Sequence, residues 1–422
     1  MDDKGNMTAK APQPAAAPPM PGSTNASARF ERQKQRILDA ATLSLNQKGV
    51  WGMTLQEVAG ALDLGTSSVT YYFKRREHLA AAVFEDSLSR LAELARRAAC
   101  EPTQRMRVAR YVELYFDQFA STLRGESRPF AILSEIRAME EGARSALVAQ
   151  YQTIFRTVRE FFGPSDTDER KRLLTARAHI LNETLFWSEI WLPRFAIGDF
   201  PNVHRRLLVV LDGGLITPGT HWKTDPILPD AAPEEADQQA YLRVATRLIN
   251  DFGYKGALVE RIAGELKRAK TSFYRHIEGK DELVAACSRD SYHRLAALRR
   301  LADENGTTAL DRLATILSSA LALQLSGEFP LLRSSAFQAM PASLRLDAVQ
   351  RSERTALSLM GLLVEAMRDG SVRAIDPFIA CHVVMPSIDA SYDLKGWRKR
   401  QPLKQAIDTY MSVLAAGLFD PE

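Results

Sequence analysis

The sequence contains little cysteine. Of its 422 residues only three are cysteine, Cys100, Cys287 and Cys381, and they are widely spaced and odd in number. A disulfide framework needs paired cysteines and a zinc cluster needs closely spaced ones, so this usage argues against both. It is typical of a reducing cytosol, and we expect a cytoplasmic protein.

The chain also lacks the patterns of membrane segments and of common enzymes. Residues 1–28 are mainly Ala, Pro, Gly, Ser and Thr, with no apolar run of the length that a signal sequence or membrane helix needs. We expect this tail to be disordered and the protein to have no membrane segment. No GxGxxG, GxxxxGK[ST], GxSxG or HExxH motif occurs, and the seven histidines have no metal-ligand spacing. We therefore expect no catalysis, no metal and no cofactor.

The overall composition describes a globular protein of several domains. Hydrophobic residues make up 45% of the chain and charged residues 25%, and the length allows two to four domains. The net charge is only +4. This balance allows a local basic surface for nucleic acid without requiring one.

The strongest local signal is the stretch 54–79, TLQEVAGALDLGTSSVTYYFKRREHL. Thr54 and Glu57 have the spacing of a capping box, which predicts a helix start. Leu55, Val58, Ala59 and Leu62 follow on one helical face, and a turn at 63–65 ends the helix.

A second short helix is predicted directly after that turn. Its apolar side is limited to Val69, Tyr72 and Phe73, which leaves a row of hydroxyl side chains facing outward. Two short helices joined by a tight turn containing Gly form a helix-turn-helix, whose second helix fits the major groove of DNA. The pattern alone also fits any small helical bundle.

The flanking segments distinguish these alternatives. The signals ILDAATLSLNQKG, TLQEVAGAL and YYFKRREHL occur in this order. Together they resemble the TetR family of bacterial repressors. The resemblance implies a DNA-binding head followed by a helical module that has a ligand cavity and ends in two helices of a four-helix dimer interface.

Residues 84–216 have helical periodicity and many aromatic residues. Core packing is the ordinary explanation for these aromatics. The resemblance implies that some of them contact a small, mainly apolar effector. His179 and His382 lie near apolar residues, where a core histidine is the favoured interpretation. The candidate ligand contacts are Phe116, Phe119, Tyr151, Phe155, His179 and Trp187.

The first head recurs later in the chain. Residues 217–236 are rich in proline and predict a linker. After it, residues 241–283 repeat the first head at a constant offset, 253 − 49 = 204, with no gap. Asn46 corresponds to Asn250 and Gly49 to Gly253. Chance similarity of two amphipathic helices would not reproduce these residues in register.

The whole chain therefore resembles two TetR-type subunits fused in tandem, an all-α protein whose halves form an intrachain pseudo-dimer. Its alternative assembly is a homodimer of fused chains. The predicted segments are a tail at 1–28, helix-turn-helix domain 1 at 29–80, regulatory domain 1 at 81–216, a linker at 217–236, helix-turn-helix domain 2 at 237–284 and regulatory domain 2 at 285–422.

The resemblance assigns contacts with double-stranded operator DNA to both heads. In the first head the residues are Thr54, Thr66, Ser67, Ser68, Thr70, Tyr71, Lys74 and Arg76. In the second head they are Lys270, Thr271, Ser272, Tyr274, Arg275, His276 and Lys280. The second head departs from the first at Leu258, which replaces the cap Thr54, and at Ile277, which replaces Phe73. At the position where the family usually has a phosphate-binding tyrosine, the first head has Thr70 and the second head has Tyr274.

These residues predict a ligand-responsive transcriptional regulator, a repressor, that reads two different half-sites. Lys270 and Arg275 can donate to guanine, whereas the first head offers bases mainly hydroxyls. Two alternatives stay open. One is that a single head reads DNA, and the other is that the chain is a helical interaction scaffold with degenerate heads.

Overall fold

A computed structural model describes residues 21–228, 236–256, 259–267, 279–339 and 342–420. Within these ranges the chain is helical and contains no β-sheet, and their one extended pairing is an isolated antiparallel bridge between Ile216 and Val372. The predicted all-α class is confirmed. None of the described helices combines the length and apolar character that a membrane span requires.

The first half contains eight helices within its described residues. They are α1 Pro21–Gly52, α2 Leu55–Gly60, α3 Thr66–Tyr72, α4 Arg76–Ala99, α5 Gln104–Leu123, α6 Glu141–Glu160, α7 Asp168–Trp191 and α8 Phe200–Gly213. Short 3₁₀ turns cover Leu133–Ala138, Leu192–Arg194 and Ile197–Asp199.

In the second half, the part of the chain that is described contains eight further helices. They are α9 Ala236–Gly256, α10 Val259–Glu265, α11 Lys280–Asn305, α12 Ala309–Ser326, α13 Ala342–Arg368, α14 Pro377–Ala390, α15 Lys395–Arg398 and α16 Leu403–Ala416. The 3₁₀ turns here cover Ser334–Ala339 and Ser391–Leu394.

The start of α1 differs from the predicted domain boundary. We expected a disordered tail up to residue 28, but α1 begins at Pro21. The helical part of the first half therefore begins eight residues earlier than predicted.

Several details of the backbone recur between the halves. Gly49 bends α1 with φ 68° and ψ 173°, and Gly253 bends α9 with φ 73° and ψ 173°. Asp63 and Lys267, also 204 residues apart, both have a positive φ, 55° and 51°. A non-glycine residue rarely adopts this conformation, so its recurrence at the sequence offset marks the same turn in both heads.

The ends of the halves pack on each other. Helices α7 and α8 contact α14 and α16, and the buried residues Ile180, Val210 and Leu211 meet Val383, Val413 and Leu414. Two backbone hydrogen bonds are reciprocal: the Leu215 N–H donates to Leu414 O at 3.1 Å and the Leu418 N–H donates to Leu211 O at 2.8 Å. Leu418 lies 203 residues after Leu215, and Leu414 likewise lies 203 residues after Leu211.

The described part of the linker, residues 217–228, is held against the second half. The Thr217 N–H donates to Ser371 O at 3.0 Å, and the Ile227 N–H donates to Ser319 Oγ at 2.9 Å. Lys404 Nζ lies 3.0 Å from Asp225 Oδ1. This part of the connection is therefore anchored along its length.

Candidate nucleic-acid interface and ligand cavity

The first head has the helix-turn-helix geometry that its sequence predicts. Thr54 caps α2, its hydroxyl accepting from the Glu57 N–H at 3.2 Å. The other half of the predicted capping box is replaced, because the Glu57 carboxylate pairs with Lys48 on α1. Thr54 is thus accounted for by the helix start that it caps.

Helix α3 is held by its apolar side and exposes the opposite side. Val69 is fully buried and Phe73 nearly so. Four of the predicted DNA contacts form one exposed surface, which we call the reading face: Thr66, Ser67, Ser68 and Tyr71. Tyr71 is 73% exposed, which is unusual for an aromatic side chain of a folded domain and leaves most of this side chain accessible to an external partner.

Two predicted DNA contacts have partners within the protein. The Thr70 hydroxyl donates to the carbonyls of Thr66 and Ser67 at 3.1 and 3.0 Å. The Arg76 guanidinium lies 4.7 Å from the centroid of the Trp51 ring and donates to Glu77 Oε1 at 2.7 Å. Arg76 therefore joins α4 to the end of α1.

The neighbouring residues include one contribution that the sequence reasoning missed. Lys74 is exposed beside the reading face, as predicted. Phe30, near the start of α1, lies 4.7 Å from the Tyr72 ring and 6.2 Å from the Tyr71 ring, centroid to centroid. This contact packs the start of α1 against α3. The sequence signal for this contact was Phe30 itself, a single aromatic residue within a basic, otherwise polar segment.

The reading residues of the second head lie outside the described residues. This holds for Lys270, Thr271, Ser272, Tyr274, Arg275 and His276, and for the departures Leu258 and Ile277. Lys280 begins α11. The described parts of this head are α9, α10 and the turn at Lys267.

Each head is fastened to its module by an asparagine clamp. Asn46 donates to Phe130 O at 2.8 Å and accepts from the Ile132 N–H at 3.0 Å. In the second half Asn250 donates to Leu331 O at 2.9 Å and accepts from the Arg333 N–H at 3.0 Å. Because each clamp satisfies backbone groups on both sides of one residue, it joins the head helix to that segment at two points.

The first half also reaches the second clamp. Arg137 Nη1 donates to the Asn250 carbonyl at 2.9 Å, and its Nη2 donates to Ser335 Oγ at 2.6 Å. Burial lowers the pKa of Arg137 to about 10. The guanidinium thus remains charged at neutral pH and ties the 3₁₀ turn of one half to the head helix of the other.

The second module contains a cavity of about 510 Å³ between α11, α12, α13 and α14. Its buried wall is apolar and includes Leu317, Ala320, Leu331, Leu359 and Ile388. Cavities of this size hold drug-sized ligands. The first half adds Trp187 to the wall.

The cavity is lined by one of the six predicted ligand contacts. Trp187 lines it, but Phe116, Phe119, Tyr151, Phe155 and His179 do not. Ring contacts occupy the aromatic members of this group: Phe116 and Phe119 with Phe200, and Tyr151 with Phe155 and Phe186. In the described structure these four aromatic side chains pack against other rings of the first half.

The two histidines on α7 and α14 are core residues. His179 Nδ1 lies 2.9 Å from the hydroxyl of Tyr410, which connects the two halves, and burial lowers the pKa of His179 to about 4. His382 stacks on Trp191 with 5.6 Å between ring centroids, and its pKa is also lowered to about 4 by burial. Both rings are neutral at physiological pH, as the core interpretation requires.

The comparisons with known proteins match parts of the chain to bacterial regulators. Residues 242–287 match the model of "Bacterial regulatory proteins, tetR family". The chain is 30% identical over 88 residues to "Probable HTH-type transcriptional regulator YttP" of Bacillus subtilis (strain 168), a match that covers 20% of this chain and 41% of that protein. The matched part thus spans about two-fifths of the length of that curated relative. Both descriptions name regulators, in agreement with the expectation that the chain is not an enzyme.

Solved structures are also similar to parts of the chain. Apo AibR matches at 20% identity with a TM-score of 0.36, covering 42% of this chain and 98% of that one. The TetR family transcriptional regulator PfmR from Thermus thermophilus matches at 18% identity with a TM-score of 0.36, covering 43% of this chain and 99% of that one.

Proposed function

We propose that this chain is a TetR-type, DNA-binding transcriptional regulator made of two tandem units, and that a ligand in the second module controls its release from DNA. The observation that carries the proposal is the clamp at Asn250. It fastens the second head to the residues that line the cavity.

The path from cavity to head is short. Leu331, Leu332 and Ser334 line the cavity, and Arg333 between them donates its N–H to Asn250 Oδ1 at 3.0 Å. Asn250 lies on α9, three residues before the bend at Gly253 that leads into the head. A ligand that displaces this wall therefore shifts α9, and a shift of one head changes the spacing of the two heads on DNA. Such a ligand favours the conformation that does not fit the operator.

The repetition of elements supports the tandem, pseudo-dimeric arrangement. The asparagine clamps, the bends at Gly49 and Gly253, and the reciprocal backbone bonds of Leu215 and Leu418 recur at nearly constant offsets. An isologous dimer interface has this reciprocity between two chains. Here the two sides belong to one chain, and a repressor of this design presents two heads without a partner subunit.

On DNA, the reading face of α3 is proposed to enter the major groove, with Lys74 on phosphate. The corresponding residues 270–276 of the second head are proposed to read the other half-site. Two docked heads lie about 34–36 Å apart, one helical turn of DNA, or a multiple of it.

A gel shift with the DNA upstream of the protein's own gene tests the function. At about 50 and 200 mM salt the affinity should fall steeply, because phosphate contacts release counterions. An interaction scaffold with degenerate heads would show no binding at either salt. Light scattering tests the assembly: a mass of one chain supports the pseudo-dimer, and a mass of two chains at low concentration supports the homodimer with four heads.

A further inference from the structure

The two modules differ in what fills the space between their helices. The threonine caps Thr103 and Thr308 align α5 with α12 at an offset of 308 − 103 = 205, which places Ala320 where the first half has Tyr115. The asparagine clamps align Leu331 with Phe130. In the first half these positions hold a stacked ring pair, with centroids 5.5 Å apart.

A third position follows the same pattern. The 3₁₀ turns Leu133–Ala138 and Ser334–Ala339, which precede α6 and α13, give an offset of 334 − 133 = 201, so Ser352 on the cavity wall corresponds to Tyr151. Tyr151 packs on Phe186 with centroids 6.3 Å apart. Three tyrosine or phenylalanine rings of the first module thus correspond to Ala, Leu and Ser in the second, and their missing volume is the cavity.

The open side of this cavity is basic. Four arginines line it: Arg299, Arg300, Arg351 and Arg354. Arg299 pairs with Asp303 at 3.0 Å and Arg351 with Asp347 at 2.8 Å, both on their own helices. Arg300 and Arg354 are exposed, and within the described ranges neither has a carboxylate partner. The rim therefore carries two more positive than negative charges.

The acidic residue of the cavity does not offset this charge at the rim. Asp389 lies in the wall, but its carboxylate accepts from the Ser334 N–H at 3.1 Å and from the Ser334 hydroxyl at 2.8 Å. Its oxygens are thus engaged by the cavity wall itself. A ligand that spans from the apolar wall to the open side meets guanidinium groups there.

We propose that this cavity binds one amphipathic anion per chain, with an apolar body against Leu317, Ala320 and Leu331 and an acidic head group on Arg300 and Arg354. A carboxylate and a phosphate share this chemistry, since guanidinium groups bind both. The claim that this anion is the effector rests on the proposed function. The claim that the cavity binds it does not, because binding requires no DNA.

Calorimetry on the full chain with four probes of one chain length tests the ligand class. Decanoate and decyl phosphate should each bind at least about tenfold more tightly than decanol, and decylamine should bind most weakly. The stoichiometry should be one per chain. Equal affinity for decanoate and decanol, or two sites per chain, would overturn the proposal. The stronger of the two anions identifies the head group.

Variants locate the site. Arg300→Ala with Arg354→Ala should remove the preference for anions and leave decanol binding unchanged. Arg96→Ala, at the position matching Arg300 in the first half, should bind all four probes as the parent protein does. Ser352→Tyr, which places the ring of Tyr151 into the cavity, should abolish binding of every probe. Unchanged anion binding in both the double variant and Ser352→Tyr would place the site elsewhere.

A gel shift of the same proteins without probe separates the two proposals. DNA binding without an anion preference means that only the ligand class is wrong. Anion binding without DNA binding means that the regulatory function is wrong and the site is right.

Discussion

Gly214 and Gly417 lie against each other where the ends of α8 and α16 meet, so closely that a Cβ on Gly214 would be 2.5 Å from the Gly417 nitrogen. Both glycines have positive φ, 63° and 93°. The contact needs glycine twice over, for the backbone conformation and for the absence of a side chain.

Gly214→Ala should therefore destabilise the protein through the junction of the halves. Strain at positive φ costs about 1–3 kcal/mol, and the Cβ collision adds to it. Gly125→Ala is the matched control, because Gly125 also has positive φ but nothing lies within 4 Å of its added Cβ. Urea unfolding of both variants measures the difference. Equal losses of free energy would show that the close approach of the halves contributes nothing.

The asparagine clamps permit a test of signal transmission. Asn250→Ala and Asn46→Ala each remove two hydrogen bonds that join a head to its module, with a similar cost of about 1–3 kcal/mol. Only Asn250 is fastened to the cavity wall. Decanoate should therefore release DNA from Asn46→Ala as it does from the parent protein, while Asn250→Ala should need more ligand or fail to respond. Loss of response in both variants would contradict the proposed path.

Footprinting tests whether the two heads read different half-sites. Tyr71→Ala removes the most exposed group of the reading face, and Arg275→Ala removes a cation predicted to read guanine. Each substitution should weaken protection over a different half of the operator, by about 1–3 kcal/mol for the Arg275 contact. Tyr71→Phe separates the hydroxyl from the ring. A perfectly palindromic operator would contradict the prediction.

The stability of the protein should depend on pH through Glu183. Desolvation raises the pKa of Glu183 to about 8, although Arg333 acts in the opposite direction. The folded state then holds a proton that the unfolded state releases above its ordinary pKa, so stability falls as pH rises from about 4.3 towards 8. Glu183→Gln mimics the neutral carboxyl. Between pH 5 and pH 8, its free energy of unfolding should rise relative to that of the parent protein by on the order of 1–3 kcal/mol. Glu160→Gln, at an exposed position, should show no such gain.

The sequence was sufficient for the helix-turn-helix of the first head and for the register of the repeat. Both depend on local patterns: a cap, an apolar face and a Gly-containing turn. Asn46 and Asn250 correspond in the sequence repeat, but the sequence does not reveal which groups each side-chain amide binds. The carbonyls of Phe130 and Leu331 lie 84 and 81 residues further on, and such distant contacts leave no periodic signal.

The location and the lining of the ligand cavity could not be predicted, for a related reason. Aromatic residues are compatible both with a lined pocket and with a filled core, and only the volume left between helices distinguishes these cases. The correspondence of Tyr115 with Ala320 is also not visible in the sequence, because the offset changes from 204 in the heads to 205 and then 201 in the modules. A gap-free alignment does not pair these residues.

The stack of Tyr115 on Phe130 has a consequence for how such a protein would respond to concentration. A homodimer carries the same residue at both equivalent places, so its two sites can cooperate and produce a sigmoidal dose–response curve. The proposed ligand site is then present once in the described part of the chain, without an equivalent site in the first module with which to cooperate. Occupancy then follows a hyperbola, and the transcriptional output tracks the ligand in a graded manner instead of switching at a threshold.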